Sequence, residues 1–268
     1  MARCWRWLLC GGALLLAAVP APAAELSWQP RDLYIARHGQ TEWNRVGRVQ
    51  GDPDLGPKGY EDRIGLLLAL RDAGLHVIYT SALQRTRRTA APLAAHLQIE
   101  AKADPALNEL ESGIFEGICY STLMAEETTP AHQVCRPDGL APPAPAVAEY
   151  LRVERAKRQK DKVRYRPPGG ESYQDGALRV GRFLDRNKRV LRAKTALIVA
   201  HAGTNRLLIA QLMGWPLEAV VRLRFENDWI YRVQAQPEGP ARISLYRDGS
   251  WTRCAAVTDP HVGLDCAR

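Results

Sequence analysis

The sequence predicts an α/β fold: a three-layer sandwich with a mainly parallel central sheet, helices on both faces and an inserted cap or lid segment. Short, continuously apolar runs alternate with longer amphipathic stretches, which is typical of parallel strands joined by helical crossovers. The chain has 268 residues, of which 46% are hydrophobic, so it can bury a substantial core. We therefore expect one large domain over residues 25–268, after an N-terminal segment that is considered separately below.

The strands are predicted from short apolar runs. The first is residues 33–36, and two more buried runs follow it in the chain. Two late runs are also β-like, because they contain β-branched and aromatic residues. The predicted strands are residues 33–36, 76–80, 196–200, 229–233 and 243–246.

The helices are predicted from stretches in which apolar residues lie between charged ones, as in a helix that packs one face on a sheet. Gly74 ends the first stretch and Gly214 the last, as glycine commonly does at helix C-termini. Pro92 lies within the second, where proline is expected to kink the helix. The predicted helices are residues 59–73, 83–97, 178–191 and 207–213.

This alternation breaks down between about residues 118 and 168. The proline-rich run 142–145 predicts a stiff spacer, and residues 152–166 are dense in lysine and arginine. We interpret residues 118–168 as a lid inserted into the domain. Its basic residues either attract phosphate esters or simply form a solvated helix surface.

Residues 1–24 have the features of a cleaved signal peptide. Arg3 and Arg6 form a basic start, an apolar run of about 13 residues follows, and residues 20–24 are small. A membrane anchor is the alternative, but the apolar run is shorter than the ~20 residues that span a bilayer. We therefore expect a periplasmic or secreted protein without stable membrane insertion.

The net charge of +8 falls to +6 when Arg3 and Arg6, and no acidic residue, leave with this segment. A mildly basic surface attracts small anionic substrates, and it gives no reason to expect a nucleic-acid partner. The sequence does not indicate an oligomeric state.

Four cysteines remain after removal of the signal segment, and an even number in an exported protein predicts two disulfides. Of the three possible connectivities, we favour the local pairing Cys119–Cys135 and Cys254–Cys266; buried free thiols are the alternative. No Cys-x-x-Cys spacing and no carboxylate cluster is present, so we expect neither a metal site nor a cofactor.

Charged and polar side chains follow the predicted strands where those strands end. Arg37 and His38 follow the first strand, Arg85 lies a few residues beyond the second, and His201 follows the strand at 196–200. Since ligands bind at the carboxyl ends of strands in open α/β sheets, these side chains are expected to converge. Arginine binds phosphate oxygens in a bidentate way, so the convergence predicts a phosphate pocket.

A phosphate-transferring site also needs an acid for the leaving group. Glu109, Glu111 and Glu116 all lie in one segment, and we choose Glu109 as the donor while its two neighbours remain alternatives. Arg85 has an alternative interpretation as an ion-pair partner of Glu42 or Glu109. Each histidine taken alone is more often a buried core residue than a catalytic one.

The motifs from about Asp32 to Met213 together resemble the histidine phosphatase superfamily, also called phosphoglycerate mutase-like. The segments that show the resemblance are Arg37-His38-Gly39-Gln40-Thr41 with Trp43-Asn44, Gln50-Gly51, Thr80-Ser81-x-Leu83-x-Arg85-Thr86, Leu107-x-Glu109 with Glu116-Gly117, Pro168-Gly169-Gly170-Glu171-Ser172, and His201-Ala202-Gly203.

The resemblance implies a role for each matching position. His38 is the expected nucleophile, forming a phosphohistidine, and Arg37, Arg85 and His201 are expected to bind the phosphoryl oxygens. Glu109 is expected to protonate the leaving group and then to activate water. The expected substrate-binding residues are Asn44, Thr41, Gln50, Gly51 and Gly203.

A histidine nucleophile must be neutral at the attacking nitrogen, so its other nitrogen needs an acceptor. The resemblance suggests the carbonyl of Gly39 for this purpose. One position departs from the family pattern, because Ala202 stands where the family has glycine, and we expect its methyl group to crowd the pocket.

These observations predict an exported, metal-independent phosphomonoesterase of the histidine acid phosphatase type that acts on a small phosphorylated substrate. Phosphoglycerate mutase-type transfer is one alternative, and a non-catalytic phospho-ligand binding protein is another. The lid sequence does not indicate which phosphate ester is the substrate.

Overall fold

The computed structural model describes residues 28–49, 51–119, 145–221, 223–255 and 264–266. The predicted signal segment 1–24, Gln50 and residues 120–144 of the predicted lid, which include Cys135, lie outside the described residues. Within the described ranges, no helix is both long enough and apolar enough to cross a membrane.

Eight strands within the described residues form one sheet, in the spatial order β3-β2-β4-β1-β5-β6-β7-β8. The strands are β1 (Asp32–Arg37), β2 (Val77–Thr80), β3 (Ala101–Ala103), β4 (Thr195–Ala200), β5 (Ile230–Gln234), β6 (Arg242–Arg247), β7 (Ser250–Ala255) and β8 (Asp265–Cys266).

The sheet is mixed. Among strands β1 to β4, each pair of neighbours is parallel. The pairs β1–β5, β5–β6, β6–β7 and β7–β8 are antiparallel. The predicted α/β fold is therefore confirmed, with its parallel part in the half formed by β1 to β4. The late strands extend the sheet by antiparallel pairing.

Seven helices accompany the sheet in the described part of the chain. They are α1 (Glu42–Arg45), α2 (Pro57–Leu70), α3 (Gln84–Leu97), α4 (Pro145–Lys160), α5 (Tyr173–Ala193), α6 (Ala202–Met213) and α7 (Leu217–Val220), with short 3₁₀ turns at Pro105–Leu107 and Gly113–Phe115. The four predicted helices correspond to α2, α3, α5 and α6. Helix α3 continues past Pro92.

Residues of β1 alternate between two hydrophobic cores, one on each face of the sheet. Leu33 and Ile35 belong to the core that contains residues of α5 and α6, such as Phe183. Tyr34 and Ala36 belong to the core that contains residues of α2 and α3, such as Leu70 and Leu93. This confirms the predicted arrangement of a sheet between two helical layers.

Helix α4 lies in the part of the predicted lid that the structure describes. Its Leu151 packs with Val49 and Phe115 in a small separate apolar cluster. Phe115 lies in a 3₁₀ turn that follows Glu109 by a few residues, so α4 packs on the segment that leads away from the predicted acid. The interpretation of residues 118–168 as an inserted lid stays a prediction.

One of the two predicted disulfides is confirmed. Cys254 of β7 and Cys266 of β8 are joined, and the two residues face each other across the β7–β8 pair. The predicted Cys119–Cys135 pair includes Cys135, which lies outside the described residues.

Candidate active site

His38 lies at the carboxyl end of β1 and is almost completely buried. Its Nδ1 is 2.8 Å from the carbonyl oxygen of Gly39, which can only accept a hydrogen bond. Nδ1 therefore carries the proton, and Nε2 keeps its lone pair. The acceptor that the family resemblance suggested is the one present, and this tautomer is the one a nucleophile requires.

The glycine after His38 lies in a tightly packed region. A Cβ on Gly39 would lie 2.7 Å from the carbonyl oxygen of Gly59 in α2. The amide of Gly39 also donates to Thr89 Oγ1 of α3 at 2.8 Å. Two helices on the same face of the sheet thus hold the backbone beside His38.

Arg85, in the first turn of α3, is completely buried. Its Nη1 donates to the carbonyl oxygen of Gly51 at 2.5 Å and lies 3.5 Å from Asp52 Oδ1. The Nε and Nη2 atoms have no hydrogen-bond partner within the described ranges. Since buried guanidinium donors are normally satisfied, these two are available to an oxyanion.

Arg37 is the last residue of β1, and its Nη1 donates to the carbonyl oxygen of Phe225 at 3.0 Å. The expected alternative ion pair of Arg85 with Glu42 is not formed, because Glu42 pairs with Arg45 instead. Both predicted arginines act on His38, because the positive charge of each opposes protonation of the ring and lowers its pKa.

His201 follows β4 and precedes α6, and its ring is completely buried. The ring centroids of His38 and His201 are 5.1 Å apart. His201 Nε2 is 2.8 Å from Ser81 Oγ, whereas Nδ1 has no hydrogen-bond partner among the residues described. The pairing of β1 with β4 therefore brings the two histidines together, as the sequence predicts.

Both imidazoles are held neutral. Burial lowers the pKa of His38 well below its ordinary value of 6.5, and the charges of Arg37 and Arg85 lower it further. Burial followed by the charge of Arg85 lowers the pKa of His201 in the same way. Burial also lowers the pKa of Arg85 to about 10, which leaves it cationic at neutral pH.

Glu109 approaches the site from the segment between the two 3₁₀ turns. Its carboxylate accepts hydrogen bonds from the amides of Gly203 and Thr204, both at 3.2 Å. These amides are at the N-terminus of α6, where backbone N–H groups favour a negative charge. Glu109 and His201 are therefore brought to the same helix N-terminus.

The alternative acids lie elsewhere in the same segment. Glu111 is exposed, and its amide and carbonyl bond to Glu171. Glu171 forms a bidentate pair with Arg179, so it holds this loop against α5. The exposed Glu116 lies against Gly51, where a Cβ would meet its Oε1 at 2.2 Å. Of the three carboxylates, only Glu109 contacts the residues next to His201.

The predicted substrate-binding residues occupy several environments. Thr41 and Asn44 cap α1 reciprocally, each accepting a hydrogen bond from the other's backbone amide. Gly51 accepts from Arg85, as described above, and the amide of Gly203 faces Glu109. Gln50 lies outside the described residues. Their contact with substrate stays a prediction.

Ala202, the departure from the family pattern, is the first residue of α6 and is partly buried against the larger core. Its placement shows packing with hydrophobic residues of that core. The expected crowding of the pocket by the methyl group of Ala202 stays a prediction.

Sequence reasoning missed Asn227, whose Nδ2 donates to the carbonyl oxygen of His38 at 2.7 Å. Asn227 lies in the loop before β5, and no motif marked it. It also missed Ser81 as a partner of His201, although Ser81 stands in a recognised motif next to the end of β2.

Among the described residues, no group of three or more His, Cys, Asp and Glu side chains is arranged to hold a metal ion. The site is instead built from two histidines, two arginines and a carboxylate, which suits an oxyanion with charge spread over several oxygens. Metal-free chemistry stays a prediction.

Comparisons with known proteins agree with this geometry. Residues 33–151 and 141–248 match the histidine phosphatase superfamily (branch 1). The chain is 32% identical over 206 residues to the Erwinia tasmaniensis protein named "Probable phosphoglycerate mutase GpmB", covering 76% of this chain and 85% of that one. It is 28% identical over 197 residues to 6-phosphofructo-2-kinase/fructose-2,6-bisphosphatase 4 of Rattus norvegicus, covering 73% of this chain but 35% of the rat protein.

Solved structures resemble the fold. The alpha-ribazole phosphatase from Shigella flexneri has a TM-score of 0.61 and 25% sequence identity, covering 77% of this chain and 91% of that one. A mycobacterial glucosyl-3-phosphoglycerate phosphatase has a TM-score of 0.62 and 22% identity, covering 80% of this chain and 97% of that one. At that identity the second likeness supports the fold alone. Together, the matches over residues 33–248 and the 32% identical relative show that the chain belongs to the histidine phosphatase superfamily, branch 1.

Proposed function

We propose that this chain is an exported phosphomonoesterase that hydrolyses a small phosphate ester through a phosphohistidine on His38. The observation that supports this most strongly is the environment of the two rings. A neutral His38 with its Nδ1 proton fixed lies beside His201 and beside Arg85, whose Nε and Nη2 have no partner among the described residues. A phosphoryl group in this position would satisfy the guanidinium donors and place phosphorus near a nucleophilic nitrogen.

The reaction has two steps. In the first, Nε2 of His38 forms a bond to phosphorus while the bond from phosphorus to the ester oxygen breaks, and protonated Glu109 gives its proton to the leaving alkoxide. In the second, water attacks phosphorus, its proton returns to Glu109, the P–N bond breaks and phosphate leaves. Arg37 and Arg85 stabilise the charge on the equatorial oxygens in both steps.

Hydrolysis is favoured over mutase-type transfer by the predicted export, which separates the chain from cytosolic sugar-acid substrates. One relative is named as a phosphoglycerate mutase, and a 25% identical structure is an alpha-ribazole phosphatase, so names of both kinds occur among similar proteins. The substrate class we propose is therefore only the one both share, a small phosphorylated molecule.

The test is hydrolysis of an aryl phosphate by wild type, His38→Ala and His96→Ala. His96 is an exposed histidine of α3, so it serves as the control. We expect phosphate release and an acid-labile phosphoryl label in wild type and His96→Ala, and neither in His38→Ala. Unchanged turnover in His38→Ala would disprove the proposal, and saturable phosphate binding without turnover in wild type would support the binding-protein alternative instead.

A second assay separates phosphatase from mutase. The protein is given 3-phosphoglycerate together with bisphosphoglycerate, and the products are resolved. Formation of the 2-phospho isomer faster than free phosphate would favour the mutase.

Export is tested separately. The full chain is expressed in a bacterial host, and the N-terminus of the protein from each fraction is determined by mass spectrometry. We expect the mature chain in the periplasm or medium, beginning near residue 25. Recovery of the uncleaved chain from the membrane alone would instead support the anchor interpretation.

A further inference from the structure

Ser81 joins His201 to a buried chain of hydroxyl groups. Its Oγ is 2.8 Å from His201 Nε2 and 2.8 Å from Thr86 Oγ1, and it accepts from the amide of Leu83 at 3.1 Å. Ser81, Thr86 and His201 are all completely buried. The hydroxyl protons of Ser81 and Thr86 therefore need acceptors within the protein, because both groups are buried away from solvent.

A hydroxyl group has one proton and two lone pairs, which limits the network to two directions. In the first, Thr86 donates to Ser81, and Ser81 donates to Nε2 of His201, so that the proton of the neutral ring is on Nδ1. In the second, Nε2–H of His201 donates to Ser81, Ser81 donates to Thr86, and Thr86 donates to the carbonyl oxygen of Leu83 at 2.9 Å. Both directions satisfy the hydroxyl groups of Ser81 and Thr86.

The two directions differ at His201 Nδ1, which is buried and has no partner within the described ranges. Arg85 also has buried nitrogens, Nε and Nη2, without a partner among the described residues. Of the charged side chains, it lowers the pKa of His201 most. A phosphoryl oxygen bound by Arg85 would meet an N–H donor at Nδ1 in the first direction. In the second it would meet a lone pair, and anion and lone pair repel each other.

We propose that Ser81 is a positioning residue that fixes the proton of a neutral His201 on Nδ1, so that this nitrogen donates to a phosphoryl oxygen. The inference rests on the proposed function and adds to it the tautomer of the second histidine and the group that selects it. His38 and His201 then have the same tautomer for opposite purposes. His38 uses its Nδ1 proton to free Nε2 for attack, whereas His201 uses its Nδ1 proton as the donor.

The direct test is the protonation of the His201 ring. Wild-type protein with ¹⁵N-labelled histidine is studied by long-range ¹H–¹⁵N NMR in complex with orthovanadate between pH 6 and 8, and the His201 signals are assigned with His201→Gln. We expect a proton on Nδ1 and none on Nε2. A proton on Nε2 alone, or on both nitrogens, overturns the proposal whether or not any variant folds.

The kinetic test uses Ser81→Ala, Ser81→Thr and a matched control. Thr80, the preceding residue, has a buried hydroxyl without a partner among the described residues, so Thr80→Val removes a hydroxyl but no hydrogen bond. We expect Ser81→Ala to lower kcat/KM about 10- to 100-fold, because Nε2 is left buried without a donor. Ser81→Thr should recover most of the loss, and Thr80→Val should stay within about twofold of wild type.

The pH profile distinguishes positioning from general structural support. In Ser81→Ala the ring loses the donor that favours its neutral Nδ1–H form, so we expect the dependence of kcat on pH to change as well as its maximum. An unchanged kcat and pH profile in Ser81→Ala overturns the proposal. If His38 still acquires the phosphoryl label while the NMR or kinetic result is negative, the proposed function stands and only the role of Ser81 fails.

Discussion

Gly203 shows how closely single residues are packed around the candidate acid. A Cβ at this position would lie 2.4 Å from Glu109 Oε1 and 3.1 Å from Leu110 Cδ1. We predict that Gly203→Ala lowers kcat/KM by about 100-fold, because the carboxylate must move by about an ångström and catalytic geometry tolerates little displacement. The measurement is steady-state hydrolysis of an aryl phosphate.

Gly65→Ala is the matched control, since Gly65 also lies in a helix and a Cβ there meets nothing within 4 Å. We expect it to keep full activity and to gain a few tenths of a kcal/mol to about 1 kcal/mol of stability, as glycine-to-alanine changes in helices do. Equal activity losses in the two variants would show that the Gly203 effect is not caused by contact with Glu109.

Asn227 provides a second prediction at this scale. Its Nδ2 donates to the carbonyl oxygen of His38, and the loss of such a bond frees the backbone on which the nucleophile stands. We predict that Asn227→Ala lowers kcat about tenfold with little change in KM, which corresponds to about 1.4 kcal/mol in the barrier.

The matched control for Asn227 is Asn187→Ala, because Asn187 also donates to a carbonyl oxygen, that of Phe183 at 2.9 Å, but on α5. It should lower the free energy of unfolding and leave kcat unchanged. A kcat loss of the same size in both variants would contradict a local role for Asn227.

The sequence was most informative about residues that follow parallel strands. His38 and His201 were predicted to meet because β1 and β4 are parallel neighbours, so their carboxyl ends share an edge. Asn227 was not predicted, because it reaches His38 from the loop before β5, and that strand joins the sheet in the antiparallel direction. Nothing in its neighbourhood distinguishes it from an ordinary loop amide.

At the scale of elements, the starts of helices were predicted less accurately than their buried faces. The apolar pattern placed the start of α5 at residue 178, whereas the helix begins at Tyr173. The reason is a capping box, in which the Ser172 hydroxyl accepts from the amide of Asp175 and the Asp175 carboxylate accepts from the amide of Ser172. Periodicity locates the buried face of a helix, and its first turn is set by local hydrogen bonds.

The element at the far edge of the sheet depends on a covalent bond. Strand β8 is short and pairs with β7, and the disulfide Cys254–Cys266 joins the two with a sequence separation of 12. We predict that the Cys254→Ser/Cys266→Ser variant loses about 3 kcal/mol of unfolding free energy, the value expected for a loop of this length. Denaturant unfolding without reductant measures it.

The same variant should keep its phosphatase activity, because β8 is separated from β1 by three intervening strands. Stability equal to that of wild type would show that the bond restrains only the end of the chain. Loss of activity in the folded variant would instead show a coupling between this edge and the site.

At the scale of the whole molecule, the mixed sheet has a division of roles. Its parallel half, β1 to β4, presents the histidines and Arg85 at one edge, while β5 contributes through the loop that holds the His38 backbone. The alternation of strands and helices predicted β1, β2 and β4 but not β3, and of the second half only β5 and β6 appeared in the sequence, as β-like runs. The direction in which those runs pair depends on how the chain returns to β1, and no local pattern encodes it.

Placing two neutral histidines beside Arg37 and the buried Arg85 makes the stability of the whole protein depend on pH. The pKa of His38 and that of His201 are both lowered well below 6.5 by burial and by the neighbouring arginines. As the pH falls through about 6.5, the unfolded chain binds protons at these positions that the folded protein does not, so the free energy of unfolding decreases. Above that pH, the two histidines do not lower the free energy of unfolding in this way.

We predict a loss of up to about 1.4 kcal/mol per pH unit for each of these histidines below pH 6, measured by urea unfolding between pH 5 and 7.5 in a buffer without phosphate. His201→Asn should have a shallower slope, and His96→Ala, which changes an exposed side chain, should have the wild-type slope. Carboxylates with a lowered pKa, such as Asp175, lose their stabilising effect only near and below their ordinary value of 3.8, so they add little in this range. Equal slopes in His201→Asn and wild type would mean that the ring takes up a proton in the folded protein, and the neutral pair on which His38 attack depends would then not exist at acidic pH.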